Sequence, residues 1–386
     1  MRVMTPSSAA EMADALAQCA PARRHIAIAG NGTKRLMAGP VGEPEVTIST
    51  AGLQRVLQYE PADLTVSVEA GMKWRELQST LGRNRQMIAL DPPFAGDATV
   101  GGVIASNSSG PMRRAYGTCR DLVIGMQFAT LEGKLIDSGG MVVKNVAGLD
   151  MAKLMIGSFG TLAAITRVNF RVHTKPELTR TFLFSFPSIE GALEKRDAIL
   201  RSVLQPIAID LLSPVAAARA SRRGYVLAVR AGGSKNVLAR YSRELAEADA
   251  LTGADEDGFW DVVRDFTPEF LKRQPSGIVL RLSTALRDVA AVFRAVSGPV
   301  IARAGSGVVA VYLSSWQGVA PVWKCAREHG WPLAVEFAPE EARRNNDLWV
   351  EPAGASRDAA FAMMKKIKGM FDPGNVLNPL RLYGRI

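Results

Sequence analysis

The run His25–Ala29 (HIAIA) leads directly into Gly30-Asn31-Gly32-Thr33-Lys34. A glycine-rich turn after a short apolar strand gathers backbone N–H groups, which is how phosphate is held. Two familiar phosphate loops are excluded. The dinucleotide fingerprint would need glycine at position 35, where Arg35 stands. A Walker loop needs Gly-Lys followed by Ser or Thr, and Gly133-Lys134 is followed by Leu135. Taken alone, the loop is equally well an ordinary turn. A second stretch, Leu90–Val172, adds weight to the ligand reading. Gly101, Gly102, Gly110, Gly117, Gly125, Gly133, Gly139, Gly140, Gly148, Gly157 and Gly160 fall within it, among Ser, Thr and Asn. So many bare backbone positions, each costing entropy on folding, suggest a chain wrapped against a large, flat, polar ligand.

The usual catalytic side chains are sparse. There are three histidines, His25, His173 and His329, and none repeats at metal-ligand spacing. His329 stands in Arg-Glu-His-Gly, a helix C-terminus favoured by the macrodipole. Cys19, Cys119 and Cys325 are far apart, with no CxxC, so the chain shows no Fe–S or zinc motif and no disulfide framework. Asp91 and Asp97 are flanked by Pro and Gly and read as turn residues. Arg113-Arg114 could grip a carboxylate or a phosphate, or be a solvated pair. Lys144-Asn145 reads as a cofactor or subunit contact, or as a plain turn.

Composition narrows the class. The chain has 386 residues, with hydrophobic content of 47% and charged content of 22%, enough for two or three domains with real cores. Lys+Arg (47) exceed Asp+Glu (37), giving +10. The arginine pairs are scattered, with no aromatic-studded basic run, so nucleic acid is disfavoured. An anionic cofactor, an acidic substrate or an acidic partner explains the sign better. Glu11 and Asp14 interrupt any signal-peptide core, and no apolar run reaches the ~18 residues of a span. The expectation is a cytoplasmic chain without a transmembrane segment, meeting the inner membrane, if at all, through partners.

The elements that would position these residues follow in order. Ser8-Ala-Ala-Glu11 has capping-box spacing ahead of a helix to residue 20. Strands are expected at Val46–Ser49, Val56–Tyr59 and, half-buried, at Leu64–Glu69, then a helix through Trp74, Leu77 and Leu81. Thr99 to Asn107 reads as a loop entering a helix, Leu122–Thr130 with Lys134–Asp137 as paired strands, and Leu162–Val172 as a closing strand. Glycine thins beyond His173–Pro176. Strands at 181–186, 207–212, 225–231, 278–283, 308–314 and 333–337 then alternate with helices at 188–204, 237–251, 285–297 and 321–328. No internal repeat is visible. A helix through Phe361, Met364, Ile367 and Met370 precedes an extended tail, Phe371 to Pro379 (FDPGNVLNP).

These motifs together resemble the flavin-binding family of p-cresol methylhydroxylase and vanillyl-alcohol oxidase. The resemblance rests on Gly30–Thr33, Asp97–Gly102 (DATVGG) with Ala105-Ser-Asn107, Gly157–Leu162 (GSFGTL) before Ile165, and the closing tail. Pro111–Gly117 (PMRRAYG) and Val143–Asp150 (VKNVAGLD) bring it nearer to the FAD-binding, E-type subunits of bacterial glycolate oxidases. The implied architecture is α+β: an FAD-binding domain of two α/β subdomains over residues 1–175, an α+β cap domain with a mixed or antiparallel sheet over 176–355, and a helix and tail over 356–386 returning to the first. The resemblance implies pyrophosphate on the backbone of Gly30, Asn31, Gly32 and Thr33. It also implies Thr99, Gly101, Gly102, Ser106, Asn107 and Gly110 along the cofactor, Ile165 meeting it through its backbone, and Asn378 returning from the tail. Some relatives tether FAD through a histidine beside the first loop. With Asn31 and Thr33 there instead, non-covalent FAD is expected. Oxidising a 2-hydroxy acid needs a base, a cation for the carboxylate and the flavin as acceptor. No base is identified, His329 being the remaining candidate in the cap. The expected role is therefore an FAD subunit acting with a catalytic flavoprotein subunit and an iron–sulfur subunit. A self-sufficient dehydrogenase and an assembly subunit with structural FAD stay open.

Overall fold

The computed structural model describes residues 2–22, 24–141, 149–350 and 357–386. Lys144, Asn145, Gly148 and most of the Val143–Asp150 motif lie outside the described residues, as does the junction at 355–356. The chain divides into two compact units. The first comprises Met1–Ser109, Gly117–Lys175 and Ser356–Ile386, the second Gly110–Tyr116 and Pro176–Ala355.

Two sheets build the first unit. In a parallel three-stranded sheet, Val46–Ser49 lies between Arg2–Met4 and Ile26–Ala29. The helix Ala9–Cys19 covers it, burying Met12, Leu16 and Cys19. Ser8 caps that helix through the Glu11 N–H, while Glu11 reaches Ser7 N rather than the Ser8 backbone. The other sheet is antiparallel, in the order 56–60, 65–69, 164–171, 123–129, 135–139. Strand Thr65–Glu69 is buried at every residue, not on one face, because it lies between two strands with the helix Val100–Ala105 close by. Gly101 serves that packing: a Cβ there would stand 2.9 Å from the Ala70 Cβ.

The second unit is one nine-stranded antiparallel sheet. Its order conceals a duplication. Strands 178–186, 208–212, 225–233 and 249–251, with helices Ile189–Arg201 and Lys235–Glu244, run strand–helix–strand–strand–helix–strand. Strands 278–283, 300–303, 308–313 and 333–337, with helices Val289–Arg294 and Val319–His329, repeat that sequence. The spatial order is fourth-first-third-second, then second-third-first-fourth, and the second strands meet antiparallel through Asp210↔Arg303, Leu211↔Ala302 and Leu212↔Ile301. An internal repeat is therefore present where none was visible. Two local expectations also fail. The helix expected to residue 251 ends at Glu244, and Asp249–Leu251 pairs with Thr181–Leu183 as an edge strand. Helices Gly253–Arg264 and Phe266–Arg273 and strand Val300–Arg303 were not anticipated. Edge pairing overrides an Ala- and Glu-rich helical preference, and four residues are too few to show a period. Among the described residues, no helix is long and apolar enough to cross a membrane.

Candidate functional site: a dinucleotide cleft

Strand Ile26–Ala29 ends at a cleft of about 400 Å³ in the first unit. Gly30, Asn31, Gly32, Thr33, Thr99, Gly101, Gly102, Ser106, Ile165 and Asn378 all line it. Asn107 and Gly110 do not. Asn107 is exposed in a left-handed conformation (φ 49°) at the helix end, and Gly110 groups with the second unit.

The loop is anchored at its start by contacts with the segment entering helix Val100–Ala105. Asn31 Nδ2 donates to Asp97 O at 3.0 Å. A Cβ on Gly30 would lie 2.2 Å from Thr99 Oγ1, so glycine is needed there for close approach, not for its φ. Gly32 differs. Its φ of +70° is left-handed, and a Cβ there would meet nothing within 4 Å. Asn31, Gly32 and Thr33 direct no backbone N–H to a protein acceptor among the described residues. N–H groups so placed are able to donate to an anionic ligand. Thr99 is already engaged, its Oγ1 accepting from Gly102 N at 3.2 Å as the helix N-cap. Ser106 Oγ donates to Gly102 O at 2.6 Å and lies 2.8 Å from Ser108 Oγ.

The tail completes the wall. Leu377 extends the parallel sheet beside Ile26, with Ile26 N donating to Val376 O at 2.8 Å and Asn378 N to Ile26 O at 2.9 Å. Asn378 Oδ1 accepts from Ile28 N at 3.2 Å and its Nδ2 donates to Phe159 O at 2.8 Å. The Asn378 side chain thus braces the cleft. Behind it, Lys368 Nζ donates to Thr161 O at 2.7 Å, Leu377 O at 2.9 Å and Asp372 Oδ2 at 2.5 Å. Asp372 in turn accepts from Val376 N and Leu377 N. Burial pulls the Lys368 ammonium below its ordinary value, against the opposing pull of Asp372. Sequence reading missed this pair and Arg381. The i,i+4 spacing of Lys368 and Asp372, ahead of Pro373-Gly374, was the available signal.

Among the described residues, none lining the cleft is His, Cys or Tyr. His25 is exposed just before its strand and not part of a buried one. His329 Nδ1 donates to Cys325 O at 2.9 Å, and its ring stacks on Trp331 at 4.3 Å. Cys119 is buried, its thiol 3.5 Å from Ser108 O. Among the described residues, no three His, Cys, Asp or Glu side chains gather as a metal site.

In the second unit, one sheet face carries two anchored arginines. Fully buried Asp210 pairs with Arg303, and fully buried Glu256 accepts from Arg230 Nε at 2.9 Å. The segment 110–116 packs on this unit, Arg114 donating to Gly305 O at 3.1 Å. Burial raises the Tyr116 phenol, partly offset by Arg230. Arg113 and Arg114 are therefore not both idle surface charges.

A glycine-rich loop after a parallel strand, braced by a returning tail, is an arrangement able to hold a phosphate-bearing cofactor. Residues 1–139 match the FAD binding domain family, and residues 354–382 match the C-terminal domain of FAD linked oxidases. With these two matches the chain resembles the FAD-binding flavoproteins of the p-cresol methylhydroxylase type, and its cofactor is FAD. It is 27% identical over 241 residues to glycolate oxidase subunit GlcE of Escherichia coli, covering 62% of this chain and 63% of that protein. It is 28% identical over 210 residues to glycolate oxidase subunit GlcD of Bacillus subtilis, covering 54% and 45% of the two chains. A mitochondrial D-lactate dehydrogenase (cytochrome) of Arabidopsis thaliana is 30% identical over 215 residues, 55% of this chain and 37% of that one. The matches thus span less than two thirds of those relatives. In fold, 4-ethylphenol oxidase from Gulosibacter chungangensis superposes with TM-score 0.77 at 14% identity, covering 99% of this chain and 89% of that one. Alkyldihydroxyacetonephosphate synthase gives TM-score 0.73 at 16%, covering 98% and 76%.

Proposed function

We propose that the chain is the FAD-binding subunit of an assembly that oxidises glycolate to glyoxylate. Electrons would pass to an acceptor through a catalytic flavoprotein subunit and an iron–sulfur subunit, with this chain in the cytoplasm. The observation that carries the reading is the presence, in one chain, of a phosphate-cradling cleft and a sheet face with arginines fixed on buried acids. Asn31, Gly32 and Thr33 would hold the pyrophosphate through their N–H groups, with Gly30 and Gly102 allowing close approach. Ile165 and Asn378 would shape the wall. Arg230 and Arg303, each held by a buried carboxylate, give the second unit a cationic sheet face. When bound, FAD supplies a two-electron carrier, which in this reading receives its electrons from the catalytic subunit. The D-lactate dehydrogenase relative supports a 2-hydroxy acid, and the relatives named as glycolate oxidase subunits support the subunit role. No catalytic base is assigned.

Anaerobic absorbance tests this. The isolated holoprotein should stay yellow with glycolate, and bleach once the partner chains are added. Bleaching of the isolated chain would overturn the subunit role in favour of a self-sufficient dehydrogenase. A flavin that stays oxidised with every partner present would overturn any role in electron transfer and leave an assembly subunit.

A further inference from the structure

The cofactor loop does not end at Thr33. It continues through residues 34–39 before the chain reaches the next strand, and on that far side one guanidinium reaches three of its carbonyls. Arg381 Nη1 donates to Met37 O and, at 2.7 Å, to Gly39 O, while its Nη2 donates to Lys34 O at 2.6 Å. The contact is reciprocal, since Gly39 N donates back to Arg381 O at 2.9 Å. It is also tight: a Cβ on Gly39 would lie 1.9 Å from Leu380 O and 2.6 Å from Gly384 N. The guanidinium lies 5.7 Å from the centre of the Phe159 ring, and the Phe159 carbonyl accepts from Asn378. Arg381 itself lines the cleft. Three residues further up the tail, Asn378 braces the strand that leads into the same loop.

We infer that Arg381 is a positioning residue for the cofactor loop. The tail from Val376 onward is a clasp, and its closure and FAD binding reinforce each other. The inference rests on the reading of Asn31–Thr33 as the phosphate cradle. Its logic is thermodynamic. Asn31, Gly32 and Thr33 lie between the strand braced by Asn378 and the segment fixed by Arg381. The tail therefore holds the loop on both sides in the conformation that presents its N–H groups. If tail docking favours FAD by some factor, FAD must favour tail docking by the same factor.

The test is the affinity of flavin-free protein for FAD, measured by flavin fluorescence. Three charge-assisted hydrogen bonds are removed in Arg381→Met, and Kd should rise by roughly ten- to a hundredfold. Met12→Ala, a core truncation under the first sheet away from the cleft lining, should lower stability yet leave Kd within about twofold. Hydrogen exchange on the unsubstituted chain supplies a reading that no folding defect can confuse. FAD should slow exchange of amides in 34–39 and 376–386. An unchanged Kd in Arg381→Met, or exchange in 376–386 indifferent to FAD, would overturn the clasp. Gly32→Val separates the two levels. If it binds FAD normally, the cradle reading fails. If it loses FAD while Arg381→Met binds normally, the cradle stands and the clasp alone fails.

Discussion

Gly30 and Thr99 should be energetically coupled, and the coupling can be worked from their geometry. The Gly30 backbone has no positive φ, so alanine is conformationally acceptable there. The obstacle is steric: the new Cβ would stand 2.2 Å from Thr99 Oγ1 and 3.1 Å from its Cγ2. Overpacking of this kind costs about 1–3 kcal/mol. Thr99→Ala removes the N-cap bond to Gly102 N, about 1 kcal/mol. Additive effects would bring the double variant to roughly 2–4 kcal/mol. In the double variant, however, the clashing Oγ1 and Cγ2 are gone and the nearest Thr99 atom is Cβ, at 3.2 Å. It should therefore lie near the Thr99→Ala value, a favourable coupling of about 1–3 kcal/mol. Hydrogen exchange of peptides spanning 97–107 in rising urea, on flavin-free protein, measures each corner of the cycle. Additivity within about 0.5 kcal/mol would refute the contact.

Gly32→Val should fold, since its Cβ enters open space and the left-handed φ costs only about 1–2 kcal/mol, but the purified protein should be colourless. Thr99→Val should lower helix and chain stability by about 1 kcal/mol through the lost cap, with little further loss of FAD, as read by parallel melting and flavin titration. Lys368→Met strands the buried Asp372 carboxylate and should cost about 3–5 kcal/mol in denaturant unfolding, detaching the tail. Burial, and secondarily Arg171, holds the His173 imidazole below its ordinary value. The unfolded chain therefore binds the proton first, and stability should fall as pH drops below about 6.5 toward the folded value. His173→Gln should flatten that part of the stability–pH curve.

Much of the first unit was legible because its signals are local. Ser8 with Glu11 and the glycines after Ala29 each report on neighbours within a few residues, whereas the alternation at 65–69 located the strand but not its burial on both faces. Individual glycines, however, were ambiguous about cause. Gly30 answers to Thr99 and Gly101 to Ala70, whereas Gly32 combines a left-handed φ with open space. Ser106 and Thr99 line the cleft as expected of cofactor contacts, and their hydroxyls also serve the helix itself, which the sequence does not announce. Arg381 was invisible because its acceptors are carbonyls, which no residue type announces. The doubled architecture of the second unit was hidden for a related reason. Each half needs only alternating apolar residues, which many sequences satisfy, so the repeat survives in topology without a repeated motif. The short strand Val300–Arg303 is defined by the strands on either side of it.

The return of the tail to the first sheet also sets an order of events at the ribosome. Asn378 reaches Ile28 across 350 residues of chain. At about 5–20 residues per second, that separation is roughly twenty to seventy seconds of synthesis. Through that interval one edge of Ile26–Ala29 has emerged without the segment that later pairs with it, and an open strand edge is adhesive. The strands of the second unit are meanwhile supplied by one continuous stretch and can close first. A message cut short before Lys368 would therefore yield more than a subunit lacking flavin. Its product would join a finished second unit to a first unit with an exposed edge, a form suited to chaperones and proteases and not to assembly.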